Sequence, residues 1–252
     1  MDLLILGLAA FFAGFVDAVV GGGGLIQLPA LFSVYAQELP ARLIGTSKLA
    51  GVWGTSVAAF NYVRAVRLPW LVIIPASLMA FVFSFFGAIT VTYLSPEVLR
   101  KALPFILILI AIYTFANKEL GQQFKPRFSG RLQLWMMLLM GAVIGFYDGF
   151  FGPGTGSFFI FILVRLFGYD FLHASAGAKV LNVACNLAAL LWFGWSGNLL
   201  WQVGLAMAVC NVAGSVVGSR MALKHGSGFV RILFLFVVSA LVLKTSYDAF
   251  LK

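Results

Sequence analysis

The sequence predicts an all-α, polytopic helical membrane protein made of two homologous halves, each opening with a helix broken by glycines. Three observations carry this prediction. Hydrophobic residues make up 62% of the 252-residue chain, against roughly 45–50% in a soluble domain. Apolar runs long enough for a helix to cross a bilayer, about 20 residues, recur from one end to the other. The chain also matches itself at a single offset of 131 residues. Charged residues are 10% of the chain and mean hydropathy is +1.02. That balance excludes disorder, and a soluble enzyme of this length could not hide so much apolar surface. The runs are continuous rather than alternating, which excludes an outer-membrane barrel.

The apolar stretches fall at 3–35, 44–63, 69–94, 99–116, 132–168, 175–195, 198–219 and 228–250. The first has no basic start and no small-residue cleavage site, so it reads as a retained helix and not a signal peptide. As one helix, stretch 3–35 would reach about 50 Å at about 1.5 Å per residue, across a hydrocarbon core of only about 30 Å. It must break, and Gly21, Gly22, Gly23 and Gly24 mark the place. Stretch 132–168 has the same problem and is interrupted by GPGTG, Gly152 to Gly156. Each glycine costs roughly 1 kcal/mol in a helix interior and a proline such as Pro153 roughly 3 kcal/mol. Non-helical backbone at membrane depth must be buried in protein or line a wet cavity. The one clearly polar stretch, NKELGQQFKPRFSG at 117–130, reads as the loop joining a first repeat, 1–116, to a second, 131–252.

At the offset, Gly14 and Phe15 meet Gly145 and Phe146, Asp17 meets Asp148, and Gly21 and Gly23 meet Gly152 and Gly154. Lys48 meets Lys179, Trp70 meets Trp201, Ser84 meets Ser215, Gly87 meets Gly218, and Arg100 meets Arg231. Leucine matching leucine means little between membrane helices. Asp, Lys, Trp and Arg matching in one register mark a duplication, the usual build of secondary transporters. The net charge of +9, from 17 basic and 8 acidic residues, would suggest nucleic acid in a soluble protein. Here the basic residues lie between apolar runs and mark cytoplasmic loops, so no nucleic-acid partner is expected. If each broken stretch crosses the membrane, the basic residues outside the two helix-borne lysines divide eight to seven between the sides. If each turns back on itself, they divide ten to five. The positive-inside rule selects the second arrangement. Each half then crosses an odd number of times, the repeats are inverted, and both termini lie outside.

Lys48 and Lys179 are expected to begin apolar helices. A lysine at the bilayer centre costs about 2.5–3.5 kcal/mol on insertion scales. One alone could snorkel to the headgroups. Two at one repeat position, beside glycine breaks, favour a site for a small hydrated oxyanion, which a point-charge ammonium suits. A helix restarting after a break presents unpaired N–H groups and partial positive charge, which bind anions. The candidate substrate-binding set is therefore Lys48, Lys179, Gly22, Gly23, Gly24, Gln27, Thr46, Ser47, Gly154, Thr155, Gly156 and Ser157. Asn182 and Asn186 follow Lys179 on one helix face and join the set. Gly51 and Thr55 hold the equivalent places in the first half, so the site need not be symmetric. Asp17 and Asp148 each precede a break by four residues. They either brace the break, by accepting backbone bonds or pairing with a lysine, or carry a coupled proton. Gly87 and Gly218 read as close helix packing, and Trp70, Trp135 and Trp201 as interfacial anchors. Cys185 and Cys210 read as core residues, and His173 and His225 fall in loops without ligand spacing, so neither metal nor cofactor is expected.

The segments GFVDAVVGGGGLIQLPAL and GTSKLAG in the first half, with GFYDGFFGPGTGSFF and AKVLNVACNL in the second, carry a resemblance. Over nearly its whole length the chain resembles the TauE/SafE sulfite exporter family, also called the toluene-sulfonate uptake permease family, and most of all its YfcA-type members. The resemblance implies a multi-pass transporter of the bacterial inner membrane, commonly of eight helices, with no cofactor and no ATP-binding unit. It implies a small anionic substrate such as sulfite, a sulfonate or a related organosulfur or carboxylate anion, moved mostly outward. It places Lys48, Lys179, the two breaks and the asparagines along the pathway. Gly45-Thr46-Ser47 stands where relatives often carry Ala-Thr-Asn, which leaves substrate choice open. The expectation is a secondary transporter and not an enzyme, in contact with membrane lipid, with the choice between monomer and oligomer left open. Two rivals are a passive anion channel and an intramembrane aspartyl hydrolase. Against the hydrolase, the aspartates occupy equivalent repeat positions and no GxGD follows.

Overall fold

Gly21 to Gly23 separate two helices, α1 (Asp2–Val20) and α2 (Gly24–Val34), and residues 151–154 separate another two, α5 (Gly130–Phe150) and α6 (Thr155–Arg165). Between them lie α3 (Pro40–Ala65) and α4 (Trp70–Tyr93); after them come α7 (Phe171–Trp195) and α8 (Trp201–Phe250). This is a computed structural model that describes residues 2–94 and 127–250, with side chains through residue 233 except that of residue 231. The span expected at 99–116, most of the 117–130 loop and the Arg100–Arg231 match lie outside the described residues. All described regular structure is helical.

Five of these helices, α1, α4, α5, α7 and α8 to Val230, are long and apolar enough to cross a membrane. The 26-residue α3 is long enough but carries Arg42, Lys48 and Arg64. With 11 residues each, α2 and α6 reach only about 16 Å at 1.5 Å per residue. Large apolar side chains cover the outer faces, with Leu71 90% exposed and Leu4 69% exposed. Lipid satisfies that surface; water would not. The protein is a multi-pass membrane protein.

Stretches 198–219 and 228–250 form two helical segments, numbered together as α8 and parted by a kink at Gly226 (φ 71, ψ −168). One expectation changes. His173 and His225 are helical: His173 lies in the first turn of α7 against Asp170, and His225 bonds the Met221 carbonyl one turn back. Among the described residues no His/Cys/Asp/Glu group could hold a metal.

Contacts between helices fix their directions. Along α3 and α8 the partners rise together: Thr46 with Leu200, Gly54 with Ser215, Asn61 with Ser219. Gly14 lies on Asn211 and Gly218 on Phe15, so α1 runs the same way as α8. In the other set, Gly141, Gly145 and Gly149 of α5 lie on Ala76, Ala80 and Ser84 of α4, and Trp192 of α7 bonds Thr92. The two sets oppose each other, since Gly45 faces Phe193 while Tyr62 meets Ser175. With α1 parallel to α3, the intervening α2 returns the chain to the end where it began, and α6 does the same between α5 and α7. The end where α3 and α8 begin is called here the first end, and the opposite one the second. Small residues make the parallel contacts close. A Cβ on Gly149 would collide with the Ser84 carbonyl, and one on Gly87 with the Phe146 carbonyl.

Candidate functional site

The two breaks cross each other in the interior. Gly21 (φ 79) and Gly154 (φ 83) hold the left-handed conformation that side chains disfavour. The Gly21 carbonyl accepts from the Ser157 N–H at 3.1 Å, and a Cβ on Gly21 would lie 2.6 Å from the Gly156 Cα. Gly24 lies against Pro153. Glycine is needed here because two backbones touch.

The four buried charges pair between the halves. Lys48 of the first half donates to the Asp148 carboxylate of the second. Lys179 of the second half donates to the Asp17 carbonyl and, at 3.2 Å, to its Oδ2, which also accepts from the Thr55 hydroxyl at 3.0 Å. Neither lysine begins its helix, as the apolar runs had suggested. Pro40 opens α3, and Asp170 caps α7 by accepting from the Leu172 and His173 N–H groups. Each lysine then sits about two turns inside, roughly 12 Å from the helix start at 1.5 Å per residue. Lys179 is fully buried and Lys48 7% exposed, so neither snorkels.

Beside the crossing is a cavity with about 50 Å³ available to the centre of a water-sized sphere. One water needs about 10–15 Å³ on that measure, so the space suits a solute of about four heavy atoms. Its polar wall is Asp17, Gln27, Ser47, Lys48, Thr55, Asp148, Asn182, Asn186 and Asn211. Backbone at Gly21, Gly23, Gly24, Gly152 and Gly154 completes that side, and Leu28, Ile44 and Phe151 form the apolar side. The amides are tied together. Gln27 Nε2 donates to the Ser47 carbonyl at 2.9 Å, Asn211 Nδ2 to Gln27 Oε1 at 2.9 Å, and Asn186 Nδ2 to Asn182 Oδ1 at 2.7 Å. Such a connected network fixes the wall.

Several residues of the sequence-derived set stand apart from the cavity wall. Lys179 lies behind Asp17. Ser157 spends its hydroxyl on the Val20 carbonyl at 2.8 Å, and Thr155 on the Gly152 carbonyl at 2.7 Å. Thr46 donates to the Arg42 carbonyl and accepts from the Leu200 N–H. Gly22 and Gly156 shape the crossing. These groups hold the site rather than face it. Asn211 is the polar wall residue the sequence reading missed. Its signal was an amide inside the apolar stretch 198–219, but its repeat equivalent is Ala80, so the internal match hid it. Toward the second end lie Tyr62, Phe159, Ser175 and Ala178, all buried. Tyr62 donates to the Ala18 carbonyl there at 3.0 Å.

Comparison with known proteins agrees with this architecture. The chain is 37% identical over 246 residues to the probable membrane transporter protein ORF9 of a Sinorhizobium species, covering 98% of this chain and 93% of the relative. It is 36% identical over 247 residues to the probable membrane transporter protein YfcA of Escherichia coli K12, covering 97% and 90%. A probable membrane transporter protein of Haemophilus influenzae is 35% identical over 254 residues, covering 98% and 96%. No solved structure matches significantly. The sulfite exporter TauE/SafE profile matches residues 6–245. With glycine breaks, helix-borne lysines and a polar cavity at their crossing, the chain is a membrane transporter and belongs to the TauE/SafE sulfite exporter family.

Proposed function

We propose that the protein is a secondary transporter of a small anion such as sulfite, a sulfonate or a related organosulfur or carboxylate anion, working as an exporter. The observation that carries this reading is the Lys48 ammonium on the wall of a small polar cavity where two interrupted helices cross. The anion binds against Lys48, the Asn182 amide, the Ser47 hydroxyl and the glycine backbone. The cavity's size fits a compact oxyanion headgroup, and Leu28, Ile44 and Phe151 accommodate a short apolar substituent. The name of the matched family supports sulfite and its relatives as the class.

Opposed helix directions in the two halves support an inverted repeat, 1–116 against 131–252, around this site. Arg64, Arg67, Arg127, Arg131, Arg165, Arg220 and Lys224 gather at the second end. Among the residues with described side chains, Arg42 alone stands at the first. The positive-inside rule then makes the second end cytoplasmic in the bacterial inner membrane. The buried Tyr62, Phe159, Ser175 and Ala178 beyond the cavity support a carrier over an open passive channel, because an open channel needs a continuous path.

The test is thermal stabilisation of the purified protein by sulfite, thiosulfate, methanesulfonate and small carboxylates. A ligand at 100 times its Kd adds about 2.7 kcal/mol. At least one anion raises the melting temperature of the parent protein, and Lys48→Ala removes that rise. Stabilisation that survives Lys48→Ala would clear Lys48 of a binding role. Liposome counterflow separates carrier from channel, since only a carrier exchanges labelled for unlabelled anion against a gradient.

A further inference from the structure

The four buried charges sum to zero, and that balance constrains what enters. Lys179 is sealed off, with two donated bonds to Asp17. Lys48 and Asp148 both border the cavity, and there the ammonium is already occupied by a carboxylate. An anion reaching Lys48 with Asp148 still ionised would leave an uncompensated negative charge in a water-poor interior, which is strongly disfavoured. A proton on Asp148 removes that obstacle.

Resting on the anion-transport reading above, we propose that Asp148 is a proton-binding site for co-transport. A proton from the bulk solution, relayed through cavity water, joins Asp148 Oδ2, Lys48 moves its hydrogen bond from that oxygen to an oxygen of the incoming anion, and both ions leave together. No covalent bond other than the O–H forms or breaks, and the site's net charge is zero before and after a monoanion binds. Asp17 is the structural partner of Lys179.

Asp17 is the other carboxylate on the cavity wall, and its Oδ2 is already held by Lys179 and Thr55. From α3 Asp148 faces Lys48; from α6, the Thr155 hydroxyl; from α1, the Asp17 carboxylate, itself paired with Lys179 of α7. From α7 the Cys185 thiol lies near, and Tyr147 adjoins it on its own helix. Packed along α5, α4 carries no charged residue.

The experiment uses the full-length protein in proteoliposomes with methanesulfonate and thiosulfate as probes, because neither takes up a proton near neutral pH. In the parent protein each methanesulfonate carries one proton, and an imposed voltage leaves its flux unchanged. Binding that takes up one proton weakens about tenfold for each unit rise in pH. Asp148→Asn, which resembles the protonated side chain, moves anion without protons; its flux responds to voltage and its affinity is flat with pH. Asp17→Asn lowers the melting temperature, and its remaining flux stays proton-coupled. Methanesulfonate flux that is charge-carrying and pH-independent in the parent, or proton coupling that survives in Asp148→Asn, overturns the proposal while leaving anion transport intact. Absence of both flux and stabilisation for every anion would instead remove the transport reading, and this inference with it. If Asp148→Asn does not fold, the parent's pH slope and voltage response decide alone.

Discussion

At the scale of single residues, the site depends on two buried ion pairs whose partners come from opposite halves. Breaking one side leaves a charge buried without compensation, which costs about 3–5 kcal/mol, whereas removing both partners is often neutral. Lys48→Met should therefore lower the melting temperature sharply, and adding Asp148→Asn should restore most of the loss; a melting series of the two single variants and the double checks this. Ser157 offers a contrast. Its hydroxyl serves the Val20 carbonyl and no cavity wall. Ser157→Ala should cost about 1–3 kcal/mol by orphaning that buried carbonyl, and the protein that remains folded should bind anions with parental affinity. The identity of the important residues was largely legible in the sequence, because Asp and Lys are rare in apolar runs and these recur at one offset. Their partners were not. Spacing puts Lys48 near Gly51 and Thr55 along the chain, but it cannot say that its carboxylate lies 100 residues away.

At the scale of elements, glycine does three separate jobs. Gly21 and Gly154 turn the chain, Gly141, Gly145 and Gly149 let α5 lie on α4, and Gly51 leaves room. An added Cβ at Gly51 meets nothing within 4 Å, and the position borders the cavity. Gly51→Ala should leave the melting temperature unchanged or raised, since Ala favours a helix over Gly by about 1 kcal/mol. It should also weaken binding of the bulkier anions more than the smaller ones, as a titration across the panel would record. Gly149→Ala should do the opposite, lowering the melting temperature because its methyl collides with the Ser84 carbonyl. Helix breaks at both glycine clusters were readable from length alone, as no bilayer fits a helix of 33 or more residues. The start of α3 and α7 was not, because Pro40 and Asp170 begin those helices ahead of the apolar runs and so carry both lysines inward.

At the scale of the whole molecule, the cavity lies beside the crossing, and toward the second end Tyr62, Phe159 and Ala178 are packed in the apolar core. Cysteines placed singly at Ile44 and Asn186, on the cavity wall, in a Cys210→Ser background should react faster with a small thiol reagent than cysteines at Phe159 and Ala178. Labelling rates measure this directly, and equally fast labelling at Ala178 would contradict the packing described. The parallel contacts of α1 with α8 and of α4 with α5 join the first helix of each half to the last described helix of the other. A half removed from its partner would therefore expose both its glycine seams and its unpaired charges.

The sequence by itself determined the class, the duplication, the two helix breaks and the charged residues that matter. Each of these is written in hydropathy, length or register, which are local or self-comparing properties of the chain. Only the tertiary structure decided that lysines and aspartates pair across the halves, that Lys48 and not Lys179 faces the cavity, and that Asn211 completes its wall. Those outcomes depend on which helix faces meet at the crossing. Contacts between residues a hundred or more positions apart leave no periodic trace in a single sequence.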